Sequence, residues 1–267
     1  MSQTIIVSPR TKIKLKDYDA GYSGGYKRKS EVKNQIAKIQ KQISELQELL
    51  YAESKHALLI ILQAMDAGGK DGTIRHMMSG VNPQGCEVTT FKVPSAEEVA
   101  HDFLWRIHKA VPPKGKIGIF NRSHYEDVLV VRVHNLVPKE VWCARYDQIN
   151  SFEKILVENG IVILKFFRHI SKSEQKKRLE SRLKDPAKNW KFSEADVQER
   201  KYWDDYMEAY EDAINKCSTE WAPWYIIPAN KKWYRDLVVG ETIVKTMKDL
   251  DMKYPELKKE PNKIKIE

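Results

Sequence analysis

Five short runs of the chain read as strands, the first of them apolar without alternation, and turn residues bound each one. They are HALLIILQAM (56–65) and residues 87–93, 116–120, 161–167 and 224–227. Strands buried on both faces read this way. Between them the apolar positions change to helical spacing. Val32, Ile36, Ile39, Ile43, Leu46 and Leu50 recur three and four apart, which predicts an amphipathic helix over 31–52. A coiled coil shares this pattern, but a helix this short without clear e/g charge pairs is more often core-facing. Further helices are predicted over 141–159, closed by Gly160, and over 193–216 and 232–250. Ser95-x-x-Glu98 and Ser171-x-x-Glu174 have the form of capping boxes. Tyr202, Trp203, Tyr206 and Tyr210 fall at core-like spacing. Strands alternating with helices define an α/β protein: a parallel five-stranded sheet in a three-layer α/β/α arrangement.

The 267 residues accommodate one large domain with an excursion such as a lid. Residues 1–30 are polar and glycine-containing and read as an irregular arm, lying on the surface or against a neighbour. Residues 31–250 form the main domain, with a lid at about 171–200. The lysine-rich tail 251–267 is expected to fray. No apolar run reaches the roughly 18 residues that span a bilayer, and the N-terminus lacks the pattern of a signal peptide. Cys86, Cys143 and Cys217 are far apart and form no CxxC pair, so a metal or disulfide framework is not expected and a reducing cytoplasm is. The net charge of +9 favours polyanionic partners without choosing among them.

The sharpest local signal is QAMDAGGKDGT (63–73), where the first buried strand ends and a helix begins. Gly68, Gly69 and Gly72 allow backbone N–H groups to approach phosphate oxygens. Lys70 places a point charge on them. The match to G-x-x-x-x-G-K-[ST] is imperfect. Ala64 stands at the first glycine, Asp71 at the hydroxyl position, and Thr73 comes two residues later. A plain glycine turn with a solvated lysine is the competing reading. Asp66 would repel phosphate unless a metal lay between them, which makes it a candidate magnesium ligand or the base that accepts a proton from an attacking phosphate.

A second cluster, NRSHYED (121–127), follows another strand. Ligands of open α/β sheets bind beyond the carboxyl ends of the strands, so Asn121, Arg122, Ser123 and His124 are expected to face the crevice of Lys70. Arg122 suits bidentate phosphate contact. Glu126 and Asp127 are candidates to hold a second metal or neutralise the cluster, and Asp127 alternatively caps a helix. The third cluster, KFFRHISKSEQKKRLESR (165–182), joins a strand to a basic helix with Arg178 and Arg182 four apart on one face. Phosphotransferases need such a mobile basic lid, although a solvated helix face has the same composition.

With these clusters in view, the chain resembles the polyphosphate kinase 2 family. The matching stretches are QAMDAGGKDGT, NPQG (82–85), FKVPS (91–95), HDFLWR (101–106), IGIFNRSHYEDVLV (117–130), LKFFRHISKSEQKKR (164–178), KNWKFSEAD (188–196) and APWYIIPANKKW (222–233). Glu126 in NRSHYED is similar to the class III subgroup. The resemblance implies a thymidylate-kinase-like P-loop fold with a helical lid. It implies phosphoryl transfer between inorganic polyphosphate and AMP or ADP (or GMP or GDP), dependent on Mg²⁺ with Mn²⁺ as a substitute. Asp66, Lys70, Arg122 and Asp127 match catalytic positions, with metal at Asp66 and Glu126. Nucleotide contacts are implied at Asn82, Arg106, Asn121 and Glu126. Polyphosphate contacts are implied at Gly68, Gly69, Lys70, Asp71, Gly72, Thr73, Arg122, His124, Arg178 and Arg182. A homo-oligomer is expected, a dimer or tetramer, with no nucleic acid or membrane partner. Two rivals predict different behaviour: an ATP-dependent nucleoside monophosphate kinase, and a non-catalytic polyanion-binding module.

Overall fold

The computed structural model describes residues 5–257; the far end of the lysine-rich tail lies outside the described residues. Six strands form one sheet: β1 (Ile5–Val7), β2 (Ala57–Gln63), β3 (Cys86–Thr90), β4 (Ile117–Asn121), β5 (Ile161–His169) and β6 (Trp224–Pro228), in the order β1-β6-β5-β2-β4-β3. The five from β2 to β6 run parallel. β1 is the correction to the expected sheet. It comes from the N-terminal arm and pairs antiparallel with β6, Ile6 opposite Tyr225. Three residues are too few for their alternation to be legible, and the partner strand supplies the order.

The helices are α1 (Lys33–Glu53), α2 (Lys70–Met77), α3 (Ala96–Val99), α4 (Trp105–Lys109), α5 (Val130–Val133), α6 (Lys139–Glu158), α7 (Lys172–Lys184), α8 (Glu194–Glu199), α9 (Trp203–Cys217) and α10 (Lys232–Lys248). The single helix read over 193–216 is in fact two, α8 and α9, joined by a 3-10 turn at Arg200–Tyr202. On β2, Leu58, Ile60 and Leu62 face one core with Ile39 and Ile43 of α1 and Leu237 and Val238 of α10. Leu59 and Ile61 face the other, with Ile149 and Phe152 of α6 and Ala209 and Tyr210 of α9. This alternation explains the unbroken apolar run: both faces of the strand are covered. Each such buried side chain stabilises the fold by about 1.5–3 kcal/mol.

The arm is bound to its own chain. The Ile13 N–H donates to Asn215 Oδ1 at 2.8 Å and Leu15 N–H to Glu211 Oε1 at 2.7 Å, both on α9. Ala20 O accepts from Asn230 N–H at 3.0 Å. α6 ends at Gly160, whose φ of 87° suits a residue without a Cβ. No helix among the described residues is long and apolar enough to cross a membrane.

Candidate active site

The chain leaves β2 at Gln63 and turns sharply before α2. Ala67 and Gly69 both take left-handed backbone (φ 58° and 85°), with Gly68 between them. Gly68 has no room for a side chain: a Cβ there would lie 2.5 Å from that of Ala64. The first turn of α2 has no side-chain cap, so its N–H groups remain open to an anion. Lys70 folds back and donates to Ala64 O at 3.0 Å. Burial depresses its pKa to about 8, opposed by Asp66 and reinforced by Arg122 and Arg168.

β4 lies beside β2 in the sheet, so the residues that follow it arrive at the same edge. The Arg122 N–H donates to Leu62 O at 3.2 Å, and Arg122 itself holds φ 64°, a strained conformation for a side-chain-bearing residue. Its guanidinium donates to Asp66 Oδ1 at 2.8 Å. Asn121 Nδ2 donates to Asp71 Oδ1 at 3.0 Å. Burial works against the Arg122 charge, but Glu126 and Asp66 outweigh it and raise its pKa. Burial raises the pKa of Glu126, against the pull of Arg122 and Lys70 and with a push from Asp66.

α7 closes the third side. Ser171 caps it by accepting from Glu174 N–H. The Glu174 carboxylate does not close a capping box; it takes Arg178 Nε at 2.8 Å instead. Arg178 then reaches over the glycine turn and donates to Ala67 O at 3.0 Å, to Ala229 O and to Asn230 O. Arg182 donates to Asp196 Oδ2 and Lys191 O, tying α7 to α8 and the intervening 3-10 segment.

The result is an open cleft of about 620 Å³. Asp66, Gly68, Gly69, Lys70, Asp71, Gly72, Asn121, Arg122, Arg178 and Arg182 all line it. Glu126 stands behind Arg122 and Lys70 through the interactions above. The other predicted positions are not brought to the cleft. His124 is fully buried and turned inward, with Nε2 against Glu153 Oε1 at 3.2 Å, because the 3-10 turn at His124–Asp127 rotates it under the sheet edge. Its place as a polyphosphate contact is therefore corrected. Ser123 also points inward, accepting from Gln63 Nε2. Asn82 precedes β3 and so sits at the opposite, amino end of the parallel sheet, where it caps the turn at Pro83–Gly85 by accepting from Gln84 N–H. Thr73 lies beneath the turn, its hydroxyl donating to Gly69 O and accepting from Arg168.

Arg106 lines an adjoining flank, and Asp127 is buried close to it, lining neither space. Arg106 donates to Lys92 O, and its guanidinium lies 5.6 Å from the Phe91 ring centroid. Asp127 pairs with Arg145 at 3.2 Å, and burial pushes its pKa up to about 6 against the fields of Arg145 and Arg106. Phe91 and Lys92 line both this flank and the main cleft, so the two spaces communicate.

Five further cations line the cleft without having been assigned a role from sequence: Lys92, Lys188, Lys191, Lys232 and Arg235. The signal for the last two was available. Both follow β6 in IIPANKKWYR, and the rule about strand carboxyl ends applies there as it does to β2 and β4. Arg168, at the end of β5, is also buried beneath the turn.

A glycine turn between strand and helix, a basic residue opening that helix, and arginines converging from two other elements define a P-loop kinase-like protein. The chain belongs to the polyphosphate kinase 2 family. The profile of the family described as "Polyphosphate kinase 2 (PPK2)" matches residues 26–255. The chain is 52% identical over 265 residues, 98% of each chain, to an "AMP/ADP-polyphosphate phosphotransferase" of Meiothermus ruber. It is 53% identical over 226 residues to an "ADP-polyphosphate phosphotransferase" of Rhodopseudomonas palustris, covering 80% of this chain and 78% of that one. The crystal structure of polyphosphate kinase 2 from Arthrobacter aurescens TC1 superimposes with a TM-score of 0.92 at 42% identity, covering 98% of this chain and 97% of that one.

Proposed function

We propose that this protein moves a phosphoryl group between inorganic polyphosphate and AMP or ADP by direct in-line transfer. One observation carries the reading: Asp66, Lys70, Arg122, Arg178 and Arg182 share a single cleft. A cation cluster that merely bound polyanions would gain nothing from a carboxylate in its midst. A phosphotransferase needs one, because charge must be balanced between two phosphorylated partners. The names of the relatives at 52% and 53% identity support the same substrates.

In this reading the open N–H groups of α2 and Lys70 hold the reacting phosphates, and Arg122 neutralises charge as it spreads over the transferring group. Arg178 and Arg182 bring α7 over the cleft and exclude water. The flank of Phe91 and Arg106, with Asp127 buried near Arg106, receives the nucleotide. Among the described residues no three or more His, Cys, Asp or Glu side chains converge to cage a metal. Asp66 and Glu126, which feel each other's charge beside Lys70 and Arg122, fit a Mg²⁺ that takes its remaining ligands from phosphate and water. Held by these two carboxylates, such an ion would supply positive charge that offsets the repulsion between the two phosphorylated partners. The reaction belongs to the cytoplasm, where nucleotides are plentiful.

The test is an assay with Mg²⁺ and long-chain polyphosphate, offering AMP and ADP separately and following products over time. Formation of ADP and ATP supports the reading. Turnover that requires ATP and ignores polyphosphate would make the protein a nucleoside monophosphate kinase. Tight, salt-sensitive binding without turnover would make it a polyanion-binding module.

A further inference from the structure

We propose that the first turn of α10 forms a phosphate subsite for the polyphosphate chain, with Arg235 as its buried contact and Lys232 at its rim. This deepens the reading above and rests on it.

Arg235 is 1% exposed. Its Nε and Nη2 donate to Asp236 Oδ1 at 2.9 and 2.7 Å, while Nη1 has no partner. That atom lies 2.2 Å from where a Cβ on Gly69 would stand, and Nη2 lies 3.5 Å from the corresponding point on Gly72. The guanidinium is therefore laid along the glycine face of the turn, in the wall of the cleft. Arg168 is buried nearby, with Nε and Nη2 also unpartnered. Burial together with the neighbouring Arg235 drives the Arg168 pKa well below its ordinary value. A protein gains no stability from two adjacent guanidiniums that each keep buried N–H groups without a partner. The arrangement becomes favourable when an anion enters and accepts from them.

Position identifies the anion. Arg235 and Lys232 share the lid side of the cleft with Arg178, Arg182, Lys188 and Lys191, whereas Phe91 and Arg106 lie on the other flank. Partial burial at the rim lowers the Lys232 pKa, and so do Arg178 and Arg235, which reflects how closely these cations are gathered. So many cations gathered in one cleft match a ligand whose negative charge repeats along its length. A nucleotide, with its phosphates at one end, would leave most of them unused.

Steady-state kinetics of Arg235→Met, Arg235→Lys and Lys232→Met test this, with polyphosphate varied at saturating nucleotide and then the reverse. Calorimetric binding of tripolyphosphate without nucleotide accompanies them. Arg235→Met is expected to raise the KM for polyphosphate at least tenfold and to leave the nucleotide KM within twofold. Arg235→Lys should fall between it and the parent, because it keeps charge without the planar fork. Lys232 is exposed, so its variant should fold normally; a rise of about threefold in polyphosphate KM and weaker tripolyphosphate binding are expected. If Arg235→Met does not fold, the other two variants decide the matter on the same criterion. An unchanged polyphosphate KM in folded variants overturns the subsite. So does a rise confined to the nucleotide KM, which would assign the position to a nucleotide phosphate. A parent enzyme that ignores polyphosphate altogether overturns the functional reading instead, and is seen before any variant is made.

Discussion

Asp66 at the end of β2 and Arg122 at the end of β4 form an ion pair of 2.8 Å across the floor of the cleft. Neither residue is fully buried, and Arg122 accepts a left-handed backbone to make the contact. In the proposed reaction, phosphate would take Arg122 and a cation would take Asp66 from this pair. Asp66→Asn keeps the shape and removes the charge. The fold should survive, since the pair is partly exposed and such pairs contribute about 0–1 kcal/mol. Activity should fall by about 10²–10³, the usual loss when one charge-organising group is removed from a transfer site. A thermal melt within a few degrees of the parent, combined with that loss, is the expected outcome. Near-parental turnover would remove Asp66 from the mechanism.

Lys70 gives a pH dependence. Its pKa is lowered to about 8, mainly by burial. For a base, a lowered folded-state value means that charge is lost as pH rises through about 8. In the unfolded chain the same group keeps its proton to about 10.4. Between those values the unfolded state binds more protons, so this group's contribution to stability rises with pH. Phosphate binding runs the other way, because it needs the cation. The KM for polyphosphate should climb above pH 8 while the fold loses nothing through this residue. Lys70→Arg keeps its charge throughout, so that climb should be absent from its profile, whatever its absolute activity. Parallel profiles for the two proteins would mean that another group sets the alkaline limb.

The parallel sheet was legible because a strand covered on both faces leaves an unbroken apolar run, as in HALLIILQAM. β1 was not, because Ile5–Val7 is ordered by its pairing with β6 rather than by any pattern of its own. The glycine turn and the position of Arg178 and Arg182 at the cleft were legible because the pattern is local: small residues before a lysine, and cations one helical turn apart. His124 misled for the opposite reason. It sits two residues from Arg122 in sequence, yet Arg122 lines the cleft while His124, opening the 3-10 turn, is buried in the core. Asn82 misled because a motif names residues but does not say which end of a strand they occupy. Arg235 was not singled out because only the fold brings it against Gly69, a residue 166 positions away.

That contact makes a prediction about glycine. Gly69 and Gly80 have nearly the same backbone, φ 85° and 86°. A Cβ on Gly80 meets nothing within 4 Å, whereas one on Gly69 collides with Arg235 Nη1 at 2.2 Å. Gly80→Ala should cost about 1–2 kcal/mol, the price of left-handed backbone alone. Gly69→Ala should cost more, because Asp236 holds Arg235 in place by two hydrogen bonds. Urea unfolding of the two variants measures the difference directly. Combining Gly69→Ala with Arg235→Ala should bring the cost back toward the Gly80 figure, plus whatever the loss of Arg235 costs by itself. Equal costs for the two single substitutions would show that the guanidinium moves aside freely.

The inward turn of His124 places it in a buried polar network, and that network can be tested for stability. Lys165, in the middle of β5, donates to Glu153 Oε2, to Tyr125 OH at 2.9 Å and to Cys217 O. Glu153 Oε1 accepts from Tyr125 OH at 2.8 Å and faces His124. Burial opposes the Glu153 charge, but Lys165 and His124 overcome it and hold its pKa below the ordinary carboxylate range. Burial lowers the His124 pKa, so the imidazole is neutral at pH 7 and cannot replace the lysine as a counter-charge. Lys165→Met therefore strands a carboxylate in the core and should destabilise the protein by about 3–5 kcal/mol. Glu153→Gln alone strands the ammonium and should cost a similar amount. The double variant removes both charges and leaves the amide able to bond Tyr125, so its cost should be well below the sum of the singles. Chemical denaturation at pH 7 reads all three. Strict additivity would mean that Lys165 and Glu153 do not depend on each other, and that the turn carrying Arg122 and Glu126 is held from below by something other than this ion pair.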